Sequence, residues 1–217
     1  MMMRSRTAFA SLVLAAVIPS AGVLAQDGTI GGTITAAKNR VADVVVFLVP
    51  ASPSEHAGAV AVEAEMDQRS LKFVPNVVVV SPGSSVAFTN SDRVMHNVFH
   101  PPKGGTAFDL GLFGPGEKRS FAFKNEGAYV VFCHVHPEMV GYVVVVNTPW
   151  RTVSDDSGHF AFAKVPAGSY VLHTWHGRFE EHRQTVAVSA GEHANVDIAL
   201  THGAPGEPRV GAPAKPD

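Results

Sequence analysis

From Gly28 to Leu200 the apolar residues come in short runs, and turn residues close almost every run. GTIGGTIT (28–35), VADVVVFLV (41–49), VVVV (77–80), SVAFTN (85–90), RSFAFK (119–124), AYVVF (128–132) and GYVVVV (141–146) have the length and β-branched content of strands. HFAFA (159–163), SYVLHTW (169–175), QTVAVS (184–189) and ANVDIAL (194–200) continue the series. Between them stand Ser-Pro-Gly at 81–83, Gly-Pro-Gly at 114–116, Asp-Asp-Ser-Gly at 155–158 and Pro-Ala-Gly at 166–168. No long stretch repeats with the 3.6-residue period of an amphipathic helix. The chain therefore predicts an all-β fold of sandwiches or barrels, and at 46% apolar residues it can bury a real core. The segment from His202 to Asp217, rich in Gly, Pro and Ala, predicts a disordered tail.

The chain opens on MMMRSRTAFASLVLAAVIPSAGVLAQ, which has the build of a secretory signal over residues 1–25. Arg4 and Arg6 supply the positive start, the apolar stretch from Ala8 to Ile18 is too short to span a bilayer, and cleavage is expected after Ala25. Loss of those two arginines moves the net charge from −2 to −4. A mildly acidic periplasmic protein of this kind gives no reason to expect nucleic-acid binding, and no later run is long enough for membrane insertion.

Such a chain with a single cysteine cannot form an internal disulfide. A lone thiol in an oxidising compartment is a liability unless it is buried or occupied. Cys133 lies in FCHVHPEM (132–139), at the end of one strand and just before another. His136 follows three residues on and Met139 six residues on, so a tight turn stiffened by Pro137 can aim thiolate, imidazole and thioether at one point. A second imidazole has to come from elsewhere, and His96 in TNSDRVMHNVFH is the best candidate. One thiolate, two imidazoles and a distant thioether are the donor set of a blue-copper site. Zinc is the main rival, with His134 or His100 as an extra ligand. A c-type haem is excluded by the missing Cys-x-x-Cys-His, and a binuclear copper centre by the missing second cysteine.

FVPNVVVVSPGSSVAFTNSDRVMHNVFH (73–100) together with GAYVVFCHVHPEMVGYVVV (127–145) resembles the cupredoxin family of plastocyanin- and amicyanin-like blue-copper proteins. The resemblance implies a Greek-key β-sandwich over residues 59–147 and one type 1 copper held by His96, Cys133, His136 and Met139. It implies that Asn97 ties the two ligand loops together near the thiolate. It also implies that His136 lies in an apolar docking patch, for which Pro137, Met139, Leu112 and Phe113 are candidates. His100 and His134 fall outside the family's ligand positions.

GTIGGTITAAKNRVADVVVFLVP (28–50) and TVSDDSGHFAFAKVPAGSYVLHTWHGRFEEHRQTVAVSAGEHANVDIAL (152–200) together resemble the carboxypeptidase regulatory-like domain, a smaller transthyretin-like β-sandwich. That implies a discontinuous second unit, residues 26–58 and 148–201, with the copper domain inserted in one of its loops. His173 and His176 are three apart on a strand and face opposite ways, so they are not expected to chelate together. The pairing of the two units also resembles bacterial periplasmic proteins of methylamine-utilisation-like type. It implies a transient redox partner such as a periplasmic cytochrome or quinoprotein dehydrogenase. The expected function is one-electron carriage without catalytic residues. The alternatives are copper delivery without redox turnover and a structural sandwich with a vestigial site.

Overall fold

The computed structural model describes residues 26–52, 58–102 and 107–206. The expected signal at 1–25, His56, and the part of the expected tail from 207 to 217 lie outside the described residues. Among the described residues there are strands and no α-helix. In chain order they begin β1 (Gly28–Ala36), β2 (Asn39–Arg40), β3 (Val45–Pro50), β4 (Glu63–Gln68), β5 (Phe73–Val74) and β6 (Val77–Val80). Next come β7 (Ser84–Asn90), β8 (His96–His100), β9 (Phe108–Phe113), β10 (Lys118–Phe123), β11 (Gly127–Phe132) and β12 (Val140–Val145). The series ends with β13 (Arg151–Val153), β14 (His159–Val165), β15 (Gly168–Trp175), β16 (Arg183–Val188), β17 (His193–Asn195) and β18 (Ile198–Ala199).

The strands form four sheets: β14-β1-β17 with β2 and β18 also on β1, β13-β3-β15-β16, β6-β12-β11-β8-β9, and β10-β7-β4-β5. The last two close a sandwich over Met66, Phe73, Phe88, Val98, Phe113, Phe123, Val131 and Val143. The first two close a second sandwich over Ile30, Ile34, Leu48, Phe160, Tyr170, Leu172 and Ile198. The all-β, two-sandwich architecture read from the sequence is therefore the one the chain adopts.

The continuous valine runs have a specific cause. Val46 and Leu48 point into the second sandwich, while Val45 and Phe47 point out of it. Val78, Val80, Val143 and Val145 point into the first sandwich, while Val77, Val144 and Val146 point out. The outward sets meet, with Trp175, in a third apolar layer between β3–β15 and β6–β12. Strands covered on both faces lose the apolar–polar alternation, so VVVFLV and VVVV read as unbroken runs.

The opening segment finds its sheets in the second sandwich. β1 pairs antiparallel with β14 and parallel with β17 and β18, and β3 pairs with β13 and β15. The Gly31–Gly32 pair lets β1 pass close to its neighbour: a Cβ on Gly32 would stand 1.9 Å from the carbonyl oxygen of Val196. The chain leaves and re-enters this sandwich at adjacent points. The Ala59 amide donates to Asn147 Oδ1 at 3.3 Å, and Thr148 Oγ1 donates to the Leu48 carbonyl at 2.6 Å.

The first residues of the expected tail are packed rather than free. His202 bridges Phe179, its ring 4.5 Å away, and the Gly203 amide donates to the Arg178 carbonyl. Imidazole–phenyl contact supplies apolar cover that a Gly/Pro/Ala composition does not announce.

Candidate metal centre

Cys133 is the first residue past β11, and β12 returns at Val140, with Phe132 opposite Val140 in the ladder. The seven residues between are held by a turn in which the Met139 amide donates to the His136 carbonyl at 3.0 Å. Pro137 occupies the second position of that turn, where its fixed φ is favoured. β8 lies on the other side of β11, with Phe99 opposite Phe132, so the start of β8 runs beside the Cys133 loop. That register brings His96 and Asn97 to the thiol.

Cys133 Sγ lies 3.8 Å from His96 Nδ1 and 3.8 Å from His136 Nδ1, and the two Nδ1 atoms are 3.0 Å apart. Bonds of about 2.0–2.3 Å from one ion to nitrogen and sulfur leave donor atoms about 3–4 Å apart, so the three fit a single shared ion. His96 is 0% exposed, Cys133 3% and Met139 1%, whereas His136 is only half-buried and reaches the surface. Met139 packs in the same core cluster as Cys133. A thiolate between two imidazoles, with a thioether in the same core cluster, suits copper better than a hard cation. Among the described residues this is the place where three such donors, His96, Cys133 and His136, come within reach of one ion.

The Asn97 amide donates to Cys133 Sγ at 3.4 Å, and Asn97 Oδ1 accepts from the His134 amide at 3.3 Å, which links the two loops. A hydrogen bond to the sulfur stabilises its anionic form. Asn97 Nδ2 in turn donates to Asp109 Oδ1 at 2.6 Å. The Gly111 amide, outweighing burial and joined by Asn97 and His134, holds the Asp109 carboxyl below its ordinary value. On the far side of the centre, His96 Nε2 lies 2.9 Å from Asp92 Oδ2. Burial works to raise the Asp92 carboxyl. Hydrogen bonds from the Leu71 amide, the His96 ring and the Ser70 amide outweigh it and hold the group low.

Asp92 and Asp109 are absent from the residues singled out in the sequence. The one available signal for Asp92 is its place four residues before His96 in the same loop. Asp109 gives none, because its partners are brought to it by sheet pairing.

The other named residues divide cleanly. His134 is exposed and stacks on Phe99, centroids 3.7 Å apart, and His100 is buried with Nδ1 2.7 Å from the Val130 carbonyl. Neither joins the centre. Pro137 is exposed and Leu112 is 49% exposed, but Met139 and Phe113 are each 1% exposed and belong to the core rather than to a docking patch. Leu112, the alternation partner of Phe113, takes the surface, so Phe113 is corrected from docking patch to core. Met95 (52% exposed), Val94 and Val135 are exposed apolar neighbours of His96 and His136 that the sequence reading passed over.

His173 and His176 have separate surroundings. His173 is buried, 2.8 Å from Glu181 Oε1 and stacked on Phe47. His176 stands beyond the end of β15 against Phe179. Burial, aided by Arg178 and His202, pushes His176 down from 6.5 to about 4. The unfolded chain takes up a proton here near the ordinary value, and the folded chain refuses it until about pH 4. In that window the unfolded state holds more protons, so stability is full above it and falls as the pH drops through it. Urea melts at the two ends of the window should show a lower midpoint at the acid end. In His176→Gln the drop should shrink; an undiminished drop would remove His176 as its source.

The family model for copper binding proteins of the plastocyanin/azurin family matches residues 60–146. The carboxypeptidase regulatory-like domain model matches residues 138–201. Chloroplastic plastocyanin of Chlamydomonas reinhardtii is 30% identical over 126 residues, covering 52% of this chain and 86% of that one. Amicyanin-alpha of Methylorubrum extorquens is 33% identical over 85 residues, covering 37% of this chain and 70% of that one. Chloroplastic plastocyanin of Fritillaria agrestis is 35% identical over 77 residues, 31% of this chain, and the chain spans only 46% of that relative's length.

Proposed function

The chain belongs to the plastocyanin/azurin family of copper binding proteins, and from that premise we propose that it is an exported carrier of single electrons with one type 1 copper. His96, Cys133, His136 and Met139 would hold the ion, and Asn97 would brace the sulfur. The observation that carries this reading is the convergence of His96 Nδ1, His136 Nδ1 and Cys133 Sγ, all within 4.8 Å of one another in a corner sealed from water except along His136. Copper supplies a one-electron couple. The sandwich supplies ligands whose positions are fixed by ladders and turns before the ion arrives, which limits reorganisation when the charge changes. With all four of these donors on the ion no position would be left for a substrate, which favours carriage over catalysis.

His136 is the route to the surface. Around it the exposed apolar side chains Met95, Val94, Val135, Leu112 and Pro137 flank the ligand-bearing segments. A small apolar surface of this kind suits brief encounters with a redox protein, such as a periplasmic cytochrome or a quinoprotein dehydrogenase. The regulatory-like sandwich, residues 26–58 and 148–201, would host the copper sandwich as an insertion. The pairing of β1 and β3 with β13, β14 and β15 supports that layout, as does the contact between Ala59 and Asn147.

Addition of Cu(II) to the mature protein tests the function. The expected result is one ion per chain, an intense visible thiolate band and a reversible potential with fast exchange against a periplasmic cytochrome. Copper uptake without a reversible couple would favour delivery, and no uptake would leave a structural module. Met139→Leu should keep the colour and raise the potential, since a weak electron-donating contact to the ion would be lost and the site made more apolar, which disfavours the higher charge. An unchanged potential would remove Met139 from the residues that would hold the ion.

A further inference from the structure

We propose that Asp92 is a positioning residue for this centre: its carboxylate sets the orientation and tautomer of the His96 ring and favours a divalent over a monovalent ion there. The inference rests on His96 being a ligand.

His96 is fully buried, so its Nε2 must find its partner inside the protein. Asp92 Oδ2, 2.9 Å away, is that partner. A carboxylate accepts, so Nε2 carries the hydrogen and Nδ1 is left with a lone pair. Nδ1 is the atom that faces Cys133 Sγ and His136 Nδ1. The opposite tautomer would set a lone pair against the carboxylate and aim an N–H into the donor cluster. Ligating histidines are commonly oriented by such a carboxylate on their other nitrogen.

The carboxylate is itself held from two directions. The Ser70 amide donates to Oδ1 at 2.6 Å and the Leu71 amide to Oδ2 at 3.0 Å. Both residues adopt left-handed backbone, φ 55° and 58°, although neither is glycine. Such conformations are strained for a residue with a Cβ and persist where the surroundings require them. Packing of Leu71 does not supply the reason, since its side chain is 41% exposed. What the turn achieves is to aim two successive N–H groups at one anion. From the other side Asn90, buried, accepts from the Asp92 amide at 3.0 Å and donates to the Val94 carbonyl at 2.9 Å, fixing the loop that leads to His96. The β4–β5 turn of one sheet thus reaches over the sandwich end to anchor a charge behind a donor carried by the other sheet.

The test uses Asp92→Asn, which keeps the size and removes the charge, and Asp92→Ala, which removes the contact, with thermal melts to confirm folding. Nitrogen-15 NMR of the metal-free protein should show His96 as a single Nε2–H tautomer in the native chain and a tautomer mixture in Asp92→Ala. Affinity for Cu(II) should fall about 10–100-fold in both variants. Affinity for Cu(I) should fall less, and each tenfold differential raises the potential by about 59 mV. An unchanged tautomer together with an unchanged Cu(II)/Cu(I) affinity ratio would reduce Asp92 to a staple for the turn. A native protein that takes no copper would overturn the ligand reading instead, and the metal-free NMR comparison would still decide the role of Asp92.

Discussion

Cys133→Ser should erase the intense visible band expected when Cu(II) is added to the native protein. The band requires a thiolate bonded to copper, and Cys133 is the sole cysteine in the chain. A serine hydroxyl stays protonated near neutral pH and is a hard, poor donor for this ion. The fold should survive, because the change is nearly isosteric and a hydroxyl can still accept from the Asn97 amide that now reaches Sγ at 3.4 Å. The cost should stay near about 1 kcal/mol, the scale of one weakened hydrogen bond. The visible spectrum of the copper-loaded variant and a thermal melt of the metal-free variant measure the two halves separately. A variant that stays folded and keeps the band would place the copper elsewhere.

Phe47→Ala should cost about 3–5 kcal/mol and split unfolding into two steps. Phe47 is 0% exposed and sits in the layer that joins the sandwiches, with Val45, Val77, Val144, Val146 and Trp175. Its ring stacks on His173 with centroids 4.9 Å apart and planes 10° from parallel. Truncation opens a cavity where the outer face of β3 meets β6 and β12. Cooperativity between two domains rests on such shared apolar area, and a breach at its centre lets each sandwich melt alone. Both tryptophans, Trp150 and Trp175, lie in or against the regulatory-like unit, whereas the copper colour would report the other. In the native chain the fluorescence and colour transitions should coincide with rising denaturant. In Phe47→Ala the fluorescence change should come first. Coincident, unshifted transitions would show that the layer does not couple the units.

Much of this was written locally and therefore legible. Short β-branched runs and turn residues announced most of the long strands, such as β1, β3, β7, β11 and β15, because strand length and turn chemistry are local properties, whereas β4, β8, β9 and β13 carry no such run and went unread. The spacing of Cys133, His136 and Met139 announced a donor loop, because a strand end, a proline turn and a strand start leave few geometries. His96 was legible only as a candidate, since its approach depends on β8 lying beside β11. Phe113 was misplaced on the surface because an apolar residue at a strand end gives no sign of which face is covered.

The sequence by itself determined the short strand runs, the turns, a candidate sulfur-containing donor set and two family signatures. The tertiary structure alone decided which residues stand behind the candidate site, Asp92 at His96 and Asp109 at the bracing Asn97, and that the valine runs are covered on both faces. The division has one physical origin. Periodicity and spacing express how neighbouring residues share a backbone, whereas hydrogen-bond partners and covering layers are chosen across space by sheets whose strands lie far apart in the chain.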